Sequence, residues 1–372
     1  MRSILPLFKI TSILFFIQTV FLTEAISQRS DIIWGTVLES KATHFECTRS
    51  RTDSKGNTVM FGYFKGTMDF MPGPGILNVT TKGPATDHYI LKINNDGSFA
   101  WLKILEADGT NSPREICIDS EDNIIVCGEF TGKIDMDPGS GKKLFTNNNS
   151  SNQKPDLYVC KLDPDGKYLG AAQIKGTDFK RINSVITDDD SNILISGLYS
   201  GTADFDPSSQ EVLLTATRSN GFICKLDKDC SYVWVRNFAG TGRNTVLKLS
   251  LDSQKNLVAT GAFSETADLD PGEGEALVTS SGNDTYTDNF VIKLDPDGQY
   301  IWSRHLKNKG STNLLMATVT DRQGNIFIAG DYLGTIEPDP DNSDKKHTSR
   351  GRADIYISLS STPMAGMYGP VP

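Results

Sequence analysis

Five short acidic loops hold the residue types that could do chemistry in this 372-residue chain. They read GTMDFMP, GKIDMDP, GTADFDP, ETADLDP and GTIEPDP. The first acid is Asp69, Asp135, Asp204, Asp268 and then Glu337. The second is Asp137, Asp206, Asp270 and Asp339, with Met71 in its place in the first copy. Carboxylates at i and i+2 of an extended segment face the same way, so they can offer oxygens together to a hard cation such as Ca²⁺. Asp135 with Asp137, Asp204 with Asp206, and Asp268 with Asp270 are the candidate calcium ligands. A second role competes. Asp side chains cap backbone N–H groups in turns, and the following Pro stiffens the exit. Two carboxylates per loop fall well short of a calcium shell of about six to eight oxygens. Turn formation is therefore the preferred role, with calcium as the only cofactor expectation.

Arg114, Arg181 and Arg243 lie in the segments leading into three of the copies. They are the candidate ligand-binding residues, suited to an anionic or sugar ligand, although solvated loop charge also accounts for them. Catalytic constellations are scarce. His44, His88, His305 and His347 share no repeat position, and no G-x-S-x-G, H-E-x-x-H or P-loop occurs. The DPDG turns lack the later glutamate of an EF-hand. A carbohydrate-active hydrolase or lyase would need a carboxylate pair in one copy that the others lack. The expectation is that no residue is catalytic.

The elements that position these residues come from a repeat. Asp, three residues, Asn, an apolar run, Gly, one residue and an aromatic recur as DSKGNTVMFGYF, DSEDNIIVCGEF, DDDSNILISGLY, DSQKNLVATGAF and DRQGNIFIAGDY. The asparagines are Asn57, Asn123, Asn192, Asn256 and Asn325, spaced by 66, 69, 64 and 69 residues. A fixed period of this size marks one supersecondary unit copied about or along an axis. Within the third copy, RINSVIT alternates as a half-buried strand does, ILISGLY is a buried strand, and GFICKLD and SYVWVRNF form a hairpin. Turn residues sit at matching places: Asn95-Asp96-Gly97, Asp163 to Gly166, Asp227 to Cys230, Asp295 to Gly298. Trp101, Trp234 and Trp302 share one position, where the second copy has Gly170.

Four antiparallel strands per copy suit a β-propeller blade. The last copy ends at its third strand, DIYISLSS, while DIIWGTVLES near the start is an unmatched Trp strand. Pairing residues 31–39 with Ile355 to Leu359 would close a ring and remove its open edges. The expected fold is all-β, a five-bladed propeller of four-stranded antiparallel blades closed by an N-terminal strand. A solenoid is the alternative. Phe64, Phe130, Tyr199, Phe263 and Tyr332 should occupy equivalent buried sites.

DRQGNIFIAGDY and DNFVIKLDPDGQYIW resemble the repeat units of the bacterial β-propeller group often labelled SBBP. The likeness covers nearly all of the chain after its first residues. It implies a propeller in an exported, cell-envelope protein, and it implies no particular activity.

Arg2 and Lys9, the run ITSILFFIQTVFL and small residues at Thr23 and Ala25 have the layout of a signal peptide cut after Ala25. The expected division is a signal peptide at 1–25, the propeller at 26–362 and a tail at 363–372. No membrane insertion is expected after cleavage, and the mature protein would be secreted or periplasmic. The net charge of −9 argues against nucleic acid. Cys47, Cys117, Cys127, Cys160, Cys224 and Cys230 show no CxxC spacing. Cys117 and Cys127 flank a turn and could pair across a hairpin, or all six could be buried thiols. The function these features fit is a non-enzymatic binding or interaction scaffold, with a protein or carbohydrate ligand.

Overall fold

The copies become four-stranded antiparallel sheets whose strands lie side by side in chain order. The computed structural model describes residues 35, 37–38, 41–149, 154–281, 288–337, 346–350 and 354–360, with backbone alone for 309–316 and 354–360. The strand placed at 31–39 therefore lies outside the described residues, apart from isolated positions. So do the signal segment and the tail.

Module 1 consists of strands His44–Thr52, Thr58–Lys65, Asp87–Ile93 and Phe99–Leu105. Module 2 consists of Asn111–Ile118, Ile124–Phe130, Asp156–Leu162 and Tyr168–Gly176. Module 3 runs Lys180–Thr187, Ile193–Asp204, Leu213–Leu226 and Tyr232–Phe238. Module 4 has Asn244–Leu251, Leu257–Phe263 and Asp288–Leu294, then enters the long strand Tyr300–Thr320, whose second half begins module 5. Ile326–Glu337 and Asp354–Ser360 continue module 5. All described residues are strand, turn or loop.

Second and third strands are buried on both faces, which is why they read as unbroken apolar runs. Each apolar core lies between successive sheets. Phe61 and Ile90 of module 1 meet Val126 and Tyr158 of module 2. Ile125 and Leu157 meet Ile195 and Phe222. The aromatic that follows each repeat glycine is equivalently placed: Phe64, Phe130, Tyr199 and Phe263 are fully buried and Tyr332 is nearly so.

The acidic loops are tips of small ribbons, such as Thr67–Asp69 with Asn78–Thr80 and Gly132–Asp135 with Leu144–Asn147. Each of the last four ribbons pairs with the segment leaving the previous module. The pairs are Ala107 with Ile134, Gly176 with Ala203, Gly240 with Ala267 and Asn308 with Ile336. Successive modules are thus stitched by backbone bonds as well as by packing.

First strands of successive modules are neighbours, from module 1 through to module 5. Lys248 of module 4 also reaches Glu115 of module 2 (Nζ–Oε1 3.0 Å). In an open stack each repeat touches only its neighbours. Contact between modules two apart requires first strands that curve about a common axis, which is the propeller-type arrangement.

Each first strand has a β-bulge at one repeat position. The extra residue is Thr48, Arg114, Asn183, Leu247 or Met316. Opposite stand the repeat glycines Gly62, Gly128, Gly197, Gly261 and Gly330. A Cβ at Gly62 would lie 2.0 Å from the Glu46 carbonyl oxygen, and one at Gly197 would lie 1.8 Å from that of Arg181. The glycine lets the bulged strand come close.

All six cysteines are free, and five are buried. The cross-hairpin pairing of Cys117 with Cys127 is not formed. Cys117 is opposite Ile125 and Cys127 opposite Glu115, because the Asp119–Asn123 turn sets a register two residues away from the one that would bring the cysteines face to face.

Candidate functional site

The residue after each bulge is Arg49, Glu115, Ser184, Lys248 and Ala317. This is one column of the repeat, yet it holds two cations, an acid, a hydroxyl and a methyl. Bulges re-aim side chains, and here the column converges. Glu115 Oε1 accepts from Arg49 Nε (3.1 Å) and Lys248 Nζ (3.0 Å), and Oε2 lies 3.6 Å from Arg51 Nη2. Arg49 is held further by the carbonyl of Thr48 and Arg51 by that of Ser50. Lys248 also donates to the carbonyl of Asn183. Modules 1, 2, 3 and 4 all contribute to this cluster.

A second glutamate stands next to it in module 2. Arg114 grips Glu129 with two parallel bonds (2.9 and 2.7 Å), and Arg181 Nε lies 3.8 Å from the same carboxylate. Burial pushes Glu129 above the usual carboxylate range against the pull of both arginines. Of the three arginines singled out from sequence, the structure brings Arg114 and Arg181 together on Glu129. Arg243 stands apart in module 4, its backbone N–H on Ser264 Oγ. The acidic ribbons are not what Arg114 and Arg181 neutralise.

The four first strands of modules 1 to 4 carry Arg49, Arg51, Arg114, Lys180, Arg181 and Lys248 against Glu46 and Glu115. In a chain of net charge −9, the region where these strands meet is basic.

The acidic loops use their carboxylates on their own backbone. Asp69 Oδ1 accepts from Met71 N and Leu77 N, Asp135 from Asp137 N and Lys143 N, Asp204 from Asp206 N and Val212 N, and Asp268 from Asp270 N and Ala276 N. The second acids do the same one step on: Asp137 holds Gly139 N, Asp206 holds Ser208 N and Asp270 holds Gly272 N, each at 2.8 Å. Those donors hold Asp69 below the usual carboxylate range, Leu77 first and then Met71. Among the described residues no three His, Cys, Asp or Glu are grouped to share a metal. Full-length protein scanned in excess EDTA and then in Ca²⁺ is expected to melt at one temperature. A rise on Ca²⁺ that disappears in Asp137→Asn would establish the ligand role. Asp135→Ala should cost about 1–3 kcal/mol in either case, since two hydrogen bonds are lost.

The repeat aspartates have a different partner. Asp53, Asp119, Asp188 and Asp252 each cap their turn with Oδ1 and bind the repeat asparagine and a third-strand lysine with Oδ2. The ion pairs are Lys92–Asp53 at 2.8 Å, Lys161–Asp119 at 2.9 Å, Lys225–Asp188 at 2.9 Å and Lys293–Asp252 at 2.6 Å. In module 5 Leu359 takes the lysine's register. These carboxylates are structural.

His88 is fully buried and accepts or donates at Nδ1 to Tyr158 Oη (2.8 Å). Burial brings its pKa down to about 3, so it is neutral at pH 7. His305 Nε2 sits 2.6 Å from Asp288. Both join neighbouring strands or modules.

The two glutamates and the post-bulge column were not singled out from sequence. The signal was present: eight residues before each repeat Asn the column reads Arg, Glu, Ser, Lys, Ala, unlike charges in an otherwise regular strand.

No family model matches the chain. Over 194 residues it is 25% identical to an uncharacterized WD repeat-containing protein of Acanthamoeba polyphaga mimivirus. That stretch is 46% of this chain, and the chain spans 14% of that protein's length. Among solved structures, a DUF4221 family member from Bacteroides vulgatus aligns at a TM-score of 0.33 with 9% identity, over 88% of this chain and 99% of that one. A mannose phosphorylase from Leishmania mexicana aligns at 0.34 with 12% identity, over 86% and 90%. A gluconolactonase from Xanthomonas campestris aligns at 0.25 with 13% identity, over 87% and 100%.

Proposed function

We propose that this chain is an exported, five-bladed β-propeller of the SBBP type that acts as a non-enzymatic binding scaffold through the axial mouth of its blades. One observation carries the reading. The unique glutamates, Glu115 and Glu129, are each held by two or more cations, while the repeated carboxylates form turns and ion pairs. A general acid and a general base need freedom to exchange protons with a substrate. Clamped carboxylates instead hold arginines and a lysine in place, which is how a recognition surface is preorganised.

A carbohydrate-active hydrolase is the second reading. Its support is specific: Glu115 and Glu129 are a non-repeated carboxylate pair within one module, and burial raises Glu129 as an acid catalyst requires. The purified full-length chain is expected to show no turnover on a panel of aryl glycosides and to bind without consuming ligand on a glycan array. Turnover that Glu115→Gln or Glu129→Gln abolishes would overturn the scaffold reading.

Closure is tested by two truncations. A chain beginning at Ile26, the product of signal removal, should match the stability of full-length protein. One beginning at Lys41 should lose about 3–5 kcal/mol if a closing strand buries Trp34, and gain an open edge. Equal stability of the two would exclude a closing strand.

A further inference from the structure

The charges around Glu115 and Glu129 do not balance. Arg49, Arg51 and Lys248 share one carboxylate, and Arg114 and Arg181 share the other. The glutamate side chains are both 6% exposed, whereas those of Arg49 and Arg51 are 45% exposed. Buried acids therefore sit behind cations that open to solvent. Arg49 spends Nε on Glu115 and Nη1 on the Thr48 carbonyl, which leaves Nη2 directed elsewhere. A guanidinium fixed in this way offers paired N–H donors to a planar or tetrahedral oxyanion. Low-dielectric strand walls concentrate the field of the surplus charge.

We infer that the mouth formed by the first strands is an oxyanion-binding site that takes a carboxylate or phosphate group of its ligand between Arg49, Arg51 and Lys248. Glu115 acts there as the internal counter-ion that the ligand's anion supplements. Three points support the assignment. The column carries a different residue type in each of the five modules, so its charges are not needed to build a module. Its members come from modules 1, 2 and 4, so the site exists only when the blades are assembled. The surplus is positive in a chain that is otherwise acidic. The inference rests on the scaffold reading for its biological sense but not for its test.

The test is calorimetric titration and thermal melting of the full-length chain with inorganic phosphate and with glucuronate. Ionic strength is held constant with NaCl. Saturable binding of at least one of them is expected, and the preferred anion tells whether the source is phosphorylated or carboxylated. Arg49→Gln and Lys248→Gln should each weaken it about tenfold or more. Lys142→Gln, an exposed lysine of module 2, should leave it unchanged. Glu115→Gln should bind the anion more tightly and gain more in melting temperature from it, because the internal competitor is gone. If Arg49→Gln fails to fold, Lys248→Gln carries the test, since Glu115 keeps both arginines there. No saturable response beyond NaCl, or equal losses in Arg49→Gln and Lys142→Gln, overturns the site. Glycoside turnover with intact anion binding would overturn the scaffold reading and leave the oxyanion site standing.

Discussion

Replacing Asp119 by Asn is expected to lower the unfolding free energy by about 3–5 kcal/mol. Asp119 Oδ2 lies 2.9 Å from Lys161 Nζ, and the two side chains are 0% and 4% exposed. The amide keeps the shape, and its oxygen can still accept the N–H groups of Glu121 and Asn123 that Oδ1 now holds. At the other position it replaces the acceptor of Asn123 Nδ2 and Lys161 Nζ by an N–H donor, and Lys161 is then a buried ammonium with no counter-charge. Against a total of about 5–15 kcal/mol for a typical domain, that loss is large. Asp119→Asn combined with Lys161→Met should recover much of it, because removing both charges leaves neither buried alone. Urea unfolding gives both numbers. A single-mutant cost below about 1 kcal/mol would mean that the turn hydrogen bonds, not the ion pair, fasten the second strand to the third.

Acid should act through the same group of residues. Burial pushes Asp53, Asp119, Asp188 and Asp252 upward, but the lysine and asparagine donors together outweigh it and hold them below the ordinary carboxylate value of 3.8. Asp53 is held down to about 2. A depressed carboxyl contributes stability that is complete above the unfolded value and is lost as pH falls through the folded one. Melting temperature should therefore drop as pH falls below 3.8 and on toward 2, and Asp119→Asn should flatten part of the drop. Asp156 and Glu129 are raised by burial, so their contribution has the opposite sign and cannot cause the acid loss.

Gly170→Trp should destabilise the protein, and Cys230→Gly should rescue it. Modules 1 and 3 place a tryptophan from the fourth strand over the hairpin turn of the next module. Trp101 Nε1 donates to the Pro164 carbonyl (3.1 Å), and a Cβ on Gly298 would come within 3.2 Å of the Trp234 ring. Module 2 has Gly170 in place of the tryptophan, and module 3 has Cys230 in place of the turn glycine. Cys230 adopts φ +66, is 3% exposed, and its Sγ lies 3.4 Å from where a Gly170 Cβ would stand. The two departures compensate each other across the junction. An indole at 170 would be driven into Cys230, and overpacking of this kind costs about 1–3 kcal/mol. Adding Cys230→Gly clears the space and relieves a left-handed non-glycine residue, a strain of about 1–2 kcal/mol. The double mutant should equal the parent or exceed it. A double-mutant cycle by denaturant unfolding should show coupling of about 2 kcal/mol or more, whereas additive effects would sink the swap.

Much of the architecture was legible because the repeat states it five times. Strand identity, hairpin turns and the buried aromatics Phe64 to Tyr332 follow from period-two patterning and turn chemistry, both of which are local. What was not legible depends on strands meeting across modules. Lys161 looks like a surface lysine on an apolar strand until the second strand brings Asp119 to it. Arg49, Glu115 and Lys248 are ordinary polar residues until a bulge turns one side chain of each first strand inward. The pairing of Cys117 with Cys127 failed because the Asp119–Asn123 turn puts Ile125 opposite Cys117. The acidic ribbons drew attention through their regularity, and in modules 1 to 4 that regularity goes with construction: Asp69, Asp135, Asp204 and Asp268 cap their own loops. The basic cluster at the axis is irregular and was overlooked for that reason.

The stitching of each ribbon to the strand that leaves the previous module bears on how such a chain can be recombined. A module defined by its sheet is not the unit that can be exchanged. Its fourth strand carries the tryptophan that fits the next copy's turn, and its ribbon fits the strand end of the copy before. A chimaera cut at sheet boundaries would inherit half of two unrelated junctions, whereas one cut just after the turn of the third-to-fourth-strand hairpin, between Gly166 and Gly170 for instance, would keep Gly170 with Cys230 and Gly176 with Ala203. Shuffling among related chains should succeed at breakpoints staggered from the visible repeat, and the Gly170–Cys230 junction would be inherited as a single heritable block.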